Sequence, residues 1–465
     1  MRNARAGRCG TRARGDAERA RGIDPLPSYA RALADLDAAV ARAPRNAWFL
    51  HLRGRAHHSI GLAEWDLGRD PTAQYEAASA DAQAAIERSP GHADARNLRA
   101  VVRWSLGLLA AGAGGDPRPY YAEAMQGFAE ALRLHPNHLA ALDYRGQVAV
   151  ALGLEAEARG GDGRDDFRAG AESFAARLAL VPRDPAARES RGAALYRLGI
   201  AESARGVDAR QALREALREL DEAVRLAPER VSALHWRGDA AFSLAQVQLG
   251  WGEIPDRALA AAERDYRDPR LDGSASAWAN LGQLCRWVGR FAEARAAWDH
   301  SERLGPVGGV RPERAEMEGL VGKATWIWPQ AVAEARQFLA AGGLAEARLA
   351  FSIALALIDA ALEGFPPADR ERKAGLLALA EPRAGAHLDL ARIEARLSAG
   401  DVPAGIDPQP PTDEERAERR ARALDHLERA AGAGSADAAL LRDDPALAPL
   451  RGEPRFAALL ESRGK

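Results

Sequence analysis

Five prolines constrain this chain more than any other feature. Pro44, Pro90, Pro136, Pro182 and Pro228 each close a similar phrase (AVARAP, AIERSP, ALRLHP, RLALVP, AVRLAP), and the successive differences, from 90 − 44 to 228 − 182, are all 46. Nine residues after each proline stands an arginine (Arg53, Arg99, Arg145, Arg191, Arg237), followed by a small residue (Gly54, Ala100, Gly146, Gly192, Gly238). Seven further on come Gly61, Gly107, Gly153, Gly199 and Ala245. Before each proline, large apolar groups recur at −15 (Tyr29, Tyr75, Tyr121, Phe167, Leu213), −8 (Leu36, Ala82, Phe128, Phe174, Leu220) and −4 (Val40, Ile86, Leu132, Leu178, Val224). Steps of seven and four share one helical face. A fixed period with that internal spacing predicts a stack of helix pairs, each burying against its neighbours an apolar side it cannot bury alone.

A sixth unit is shorter and names the pattern. Trp278, Leu281, Gly282, Cys285, Gly289, Phe291, Ala294, Trp298 and Pro306 follow W-x2-L-G-x2-Y…A-x3-F…P with Cys285 in place of the tyrosine. The chain thus resembles the tetratricopeptide repeat family in a long variant, strongly over residues 15–306 and weakly beyond. The resemblance implies an all-α, right-handed superhelical solenoid of antiparallel helix pairs, with the first helix of each pair lining a concave groove. It also implies a likeness to arrays found in bacterial multidomain signalling proteins, to which the tail DDPALAPLRGEPRFAALL is similar as well.

Against the short unit, the long ones carry twelve added residues: Gly289 and Phe291 are two apart, Gly61 and Tyr75 fourteen. The added stretch is rich in Ala, Leu and Glu and ends in Gly-x-Asp. Gly68, Gly114, Gly160 and Gly206 suit the left-handed residue that ends a helix. Asp70, Asp116, Asp162 and Asp208 suit the N-cap of the next, with Pro71 and Pro117 at its first position. The first helix is therefore expected to run on for about two turns and the second to gain about one, at 3.6 residues per turn. The rival reading is a twelve-residue loop.

The segments read as a degenerate or truncated first repeat (1–24), the array (25–306), divergent helical repeats (307–399), a Pro/Gly linker (400–412) and a helical cap (413–465). GDAERARGID at 15–24 matches the added stretch, so the chain opens in the middle of a unit, which favours a piece of a longer polypeptide over decayed first units. Residues 1–14 carry no pattern. Pro312–Ala341 and Leu344–Leu362 are expected as one further pair around Gly342–Gly343, Ala368–Leu397 as helix, and Asp413–Ala431 as a charged helix with Leu424, Leu427 and Ala431 on one edge.

Composition excludes several function classes. Sixty-four basic against sixty-six acidic residues leave a formal charge of −2, without the cationic excess that phosphate backbones require. Two cysteines, Cys9 and Cys285, build neither a disulfide framework nor a Cys-rich metal site. Met1–Gly22 holds seven arginines and no apolar run, and Phe351–Leu362 is too short to span a bilayer. The expected setting is the cytoplasm, with no membrane and no nucleic acid as partner.

Chemical motifs are weak. GLVGKAT at 319–325 has Met317 where a phosphate loop needs glycine, and no strand precedes it. His51, His57 and His58 have no carboxylate or cysteine at metal spacing. Cys285 falls on a core position. No G-x-S-x-G, H-E-x-x-H, H-R-D or D-F-G occurs. No catalytic residue, cofactor or metal site is expected.

Two features remain. The arginine ladder is read either as guanidinium groups bonding the neighbouring helix or as a basic stripe for an acidic ligand, the first being favoured because the family places this position between helices. The inner face that the resemblance implies comprises His51, Arg55 and His58; Asn97 and Trp104; Asp143, Tyr144 and Gln147; Glu189, Tyr196 and Arg197; His235, Trp236, Asp239 and Phe242; and Asn280, Gln283, Arg286 and Trp287. Aromatic and polar groups alternate along it, a mixture that anchors peptides, although Trp104, Tyr196 and Phe242 also suit packing between units. The two-carboxylate clamp of chaperone-binding relatives needs Lys and Asn at set inner positions; here those places hold His51 and Arg55, Asn97 and Val101, and Asp143 and Gln147, so that ligand class is not expected. The expected function is a non-catalytic scaffold holding another protein or a peptide segment in the groove. The alternative is the regulatory region of a larger bacterial signalling enzyme, such as a serine/threonine kinase, whose catalytic domain lies upstream.

Overall fold

Each repeat becomes a helix pair because its ends are chemically marked. The computed structural model describes residues 17–19, 21, 23–253, 255–308, 310–322, 324–363, 380–400, 411–432 and 438–463. Helices α1 (Leu26–Arg42), α3 (Thr72–Arg88), α5 (Arg118–Leu134), α7 (Arg164–Leu180) and α9 (Arg210–Leu226) start 46 residues apart. So do α2 (Ala47–Asp66), α4 (Ala93–Gly112), α6 (Leu139–Ala158), α8 (Pro185–Ser203) and α10 (Val231–Gly250).

The repeating prolines act on the residue before them. Ala43, Ser89, His135 and Val181 are forced out of the helical region, with φ between −143° and −132°, and there α1, α3, α5 and α7 stop. Asn46, His92, His138 and Asp184 then accept the first free N–H groups of the following helices. At the other turn Gly68, Gly114, Gly160, Gly206 and also Gly252 take φ near +70°, the conformation glycine adopts without strain. Asp24, Asp70, Asp116, Asp162 and Asp208 each accept the N–H two residues on. Asp70 and Asp116 stand one residue ahead of the cap position, which Pro71 and Pro117 occupy rather than the first helical position, but they perform its hydrogen bonding.

The twelve added residues are helix, not loop. The first helices of the long units have 19 or 20 residues and the second 17. In the short unit α12 (Ala275–Trp287) has 13 and α13 (Phe291–Leu304) has 14. The gains of seven and three are the two turns and one turn expected. Between these sets lies α11 (Asp256–Tyr266), in phase with the period but cut to 11 residues.

Packing divides the chain into two units, one of residues up to 207 with 218–229, the other of 208–217 with 230 onward, so that α9 is shared. In the first unit α2/α3, α4/α5 and α6/α7 form hairpins, α1 packs on α2, and α3, α5 and α7 each pack on the next first helix. Helices α2, α4, α6 and α8 also touch in sequence and so form one layer. The core between the layers is Tyr75, Ala78, Ala82, Leu98 and Val102, then Ala100, Tyr121, Phe128, Leu142 and Val148.

The second unit contains the hairpins α10/α11 and α12/α13, then α14 (Val310–Gly322), α15 (Ala324–Ala340), α16 (Leu344–Glu363), α17 (Ala380–Ser398) and α18 (Asp413–Gly432). The single helix expected over 312–341 is two helices: α15 pairs with α16, while α14 rests on α12, α13 and α16. Gly319 and Gly322 weaken the helix there, and Pro329 has no N–H to continue the ladder to residue 325. Helix α18 keeps Leu424, Leu427 and Ala431 buried on one edge, as expected. Together with α17, the 3-10 turn Pro445–Leu450 and Phe456 of α20 (Pro454–Arg463), it encloses a separate core; α19 (Ala438–Asp443) precedes the turn. The expected linker over 400–412 and the helical reading of 368–379 fall mostly outside the described residues. Among the described residues no helix is long and apolar enough to cross a membrane.

Candidate partner-binding face

Glycine sets the rotation of each first helix. A methyl group placed on Gly107 or Gly153 would lie 2.6 Å from the ring of Tyr121 or Phe167, so the glycine side is pressed against the second layer. The stripe 143, 147, 150, 154 of α6, and its equivalents on α2, α4 and α8, lies about a quarter-turn round the helix from that side, at 100° per residue.

On the other flank of each glycine runs the arginine ladder, and its partners settle its role. Arg53 forks onto Asp81 at 2.6 and 2.8 Å, and Arg237 onto Asp265 at 2.7 Å from both nitrogens. Arg191 binds Glu219, and Arg145 donates to Ser173 Oγ at 3.0 Å. Each partner stands 28 residues on, where Arg99 meets Gly127 and turns instead to Gln83 at 2.6 Å. Arg145, having a hydroxyl in place of an acid, is held below the usual guanidinium range by burial. The ladder therefore ties first helices to second ones and is no ligand stripe. The acids Asp81, Glu219 and Asp265 share the 46-residue period, a signal present in the sequence and overlooked there.

In the first unit, Trp104 of α4 packs on Tyr144 of α6 with ring centroids 5.5 Å apart, and Tyr144 stacks on Phe128 at 6.1 Å. Burial raises the Tyr144 phenol above its ordinary pKa, with the charge of Asp143 adding to the effect and that of Arg55 opposing it. Asn97 Oδ1 and Trp104 Nε1 are enclosed without a hydrogen-bond partner. Asp143 accepts from Gln147 at 2.9 Å, forms no ion pair among the described residues, and is raised by burial. His58 bonds Ser105 Oγ at 3.0 Å, and Ser105 donates to the Val101 carbonyl at 3.1 Å. That serine is buried and committed to the backbone, so the pair is no nucleophile and base. His57 faces Gln74 at 2.9 Å. Tyr196 and Arg197 are half-buried. His51 is buried between the rings of Trp48 and His92, and Glu189 is also buried, so neither stands free on the face as the sequence predicts.

In the second unit Asp239 collects Tyr266 Oη and Asn280 Nδ2, both at 2.8 Å, with His235 Nε2 at 3.7 Å. Phe242 is buried edge-on against Trp287 at 6.0 Å. Gln283 and Arg286 are spent on Glu313 and Glu316 of α14 at 2.8 and 2.7 Å. Trp236 is half-buried. These residues mostly tie helices together.

One turn beyond the expected inner-face residues runs a row of exposed apolar side chains. Leu108, Leu154 and Ile200 are 39, 40 and 41% exposed at the same place on α4, α6 and α8, 46 residues apart, and Leu62 of α2 stands in that place half-buried. All lie on the added turns.

Burial pushes the Cys285 thiol up to about 11, as expected of an inert core cysteine. The described residues contain no group of three or more His, Cys, Asp or Glu side chains suited to a metal. Gly319 lies inside α14 rather than in a phosphate loop.

No family model matches the chain, and no curated protein does. Solved structures it is similar to include tetratricopeptide repeat proteins. One from Parabacteroides merdae is 16% identical, with a TM-score of 0.36, over 67% of this chain and 98% of that one. The C-terminal part of another, from Cytophaga hutchinsonii, is 14% identical, with a TM-score of 0.38, over 66% and 98%. YrrB, a tetratricopeptide protein with an unusual peptide-binding site, is 18% identical, with a TM-score of 0.29, over 50% and 97%.

Proposed function

We propose that the chain is a non-catalytic scaffold that holds a segment of a partner protein on the layer formed by α2, α4, α6 and α8. The observation that carries this reading is the stripe itself. Half-buried Trp104, Tyr144 and Tyr196 alternate with Arg55, Asn97, Asp143, Gln147 and Arg197 on successive helices whose spacing is fixed by the glycine and arginine contacts beneath. Aromatic anchors in a polar surround are the composition of interface centres. The helices are in place before a partner arrives, so the ordering cost of binding falls mainly on the partner.

The test is affinity capture with the full chain, followed by mass spectrometry. Trp104→Ala, Tyr144→Ala and Tyr196→Ala together should remove the captured partners while the far-UV circular dichroism stays that of the parent. Retention of the same partners by the folded triple variant rules the reading out.

A further inference from the structure

Between the stripe's polar upper end and the turn, the first unit presents a band two rows wide. One row is His58, Trp104, Val150 and Tyr196; the other is Leu62, Leu108, Leu154 and Ile200. Neither row carries an acid, a lysine or an arginine. Three residues of the second row keep about two-fifths of their surface in water, at the same point of three touching helices. Single exposed leucines need no explanation, but an aligned row of them marks a contact surface. The row belongs to the turns that the short unit lacks, so it is a property of the long repeats.

Its geometry selects the occupant. Packed helices lie about 8–10 Å apart, so the row repeats at close to the roughly 10.5 Å that seven residues span along an α-helix. The two rows are four residues apart on each helix, about 6 Å at 1.5 Å per residue, enough for the two columns of a heptad stripe. At the upper edge stands Asp143, a half-buried carboxylate with no ion pair among the described residues. We propose that this band seats an amphipathic α-helix of a partner, with leucine-type side chains every seventh residue and a lysine or arginine on the flank that meets Asp143. This inference rests on the scaffold reading and specifies its ligand.

The test uses the full chain and a synthetic eighteen-residue probe helix (its length set by roughly 27 Å at 1.5 Å per residue), with leucines at heptad a and d positions and lysines along one flank. Binding is read by fluorescence anisotropy. Leu154→Asp lies on an exposed site, so circular dichroism should be unchanged, while affinity should fall roughly ten- to a hundredfold, the worth of one buried leucine. A glutamate-flanked probe should bind less tightly than the lysine-flanked one, and Asp143→Lys should reverse that order. A probe with scrambled leucines, or with a central proline, should lose binding. Equal binding of the scrambled or proline probe, or an unchanged affinity in Leu154→Asp, overturns the proposal. If captured partners are lost in the tryptophan and tyrosine variant but the probe ignores Leu154→Asp, the scaffold reading survives and the helical ligand does not.

Discussion

Alanine is the better helix former, yet Gly153→Ala should destabilise the first unit. The added methyl carbon would sit 2.6 Å from Cε1 and 2.7 Å from Cδ1 of Phe167, roughly 1 Å inside the optimal carbon–carbon separation of about 3.5–4.0 Å. Phe167 is buried and cannot swing clear. Overpacking of this kind costs about 1–3 kcal/mol, and the helical preference of alanine returns about 0.5–1 kcal/mol. The balance runs from about 0 to 2.5 kcal/mol, and sub-contact approach to two carbons of a buried ring places the net loss in its upper part, at about 1–2 kcal/mol. It should appear as a lower urea midpoint by circular dichroism and as reduced hydrogen-exchange protection in α6 and α7. Phe167→Leu shortens the opposing side chain, so the double variant should recover much of the loss, a coupling expected only of residues in contact. The fifth repeat carries Leu213 at this place. A Gly153→Ala protein as stable as the parent, or a double variant whose effects simply add, would refute the claim that glycine sets the helix approach.

Three further outcomes follow from the same contacts. Arg237→Ala leaves the buried Asp265 carboxylate only the exposed Arg264 at 3.4 Å and should cost about 3 kcal/mol, whereas Arg99→Ala, whose half-buried guanidinium meets Gln83 and lies 3.7 Å from Glu130, should cost about 0–1 kcal/mol; paired urea titrations decide. His387 of α17 meets His426 of α18, Nδ1 to Nδ1 at 3.1 Å, and burial, with His426, Arg429 and Arg383 nearby, lowers its pKa to about 3. The unfolded chain therefore takes up a proton near pH 6.5 that the folded one refuses. Stability is fully present above about 6.5 and falls toward pH 3 by up to about 1.4 kcal/mol per pH unit; His387→Gln should flatten that slope in thermal melts. In a Cys9→Ser background, Cys285 should react with Ellman's reagent only after denaturation, and fast labelling of the native protein would contradict its burial.

Much of this architecture was legible because each repeat states its own boundaries. The prolines, the left-handed glycines and the capping aspartates act locally, through φ, ψ and a hydrogen bond two residues away, so their positions transfer directly from sequence to structure. The arginine ladder was half legible: its position between helices followed from the period, but its acids lie 28 residues on and emerge only when two helices are brought together. Inner-face positions were harder. His51 and Phe242 have the periodicity of face residues, but the rings around them close over them, a matter of neighbouring volumes that periodicity does not encode. Leu108, Leu154 and Ile200 went unread for the opposite reason, since leucine in a helix reads as core until its exposure is seen. The pair α14 and α15 shows where propensity and tertiary contact compete: a continuous apolar pattern meets two glycines, a proline and the docking of α14 on α12 and α13.

Photo-crosslinking tests the central claim most directly. Benzoylphenylalanine is placed at Leu154, on the exposed row of α6, or at Gln126, on the second helix α5, and each full-length protein is irradiated with its captured partner. The account predicts a crosslink from position 154 and none from 126. Crosslinking from 126 alone, or equally from both, would place the working surface elsewhere.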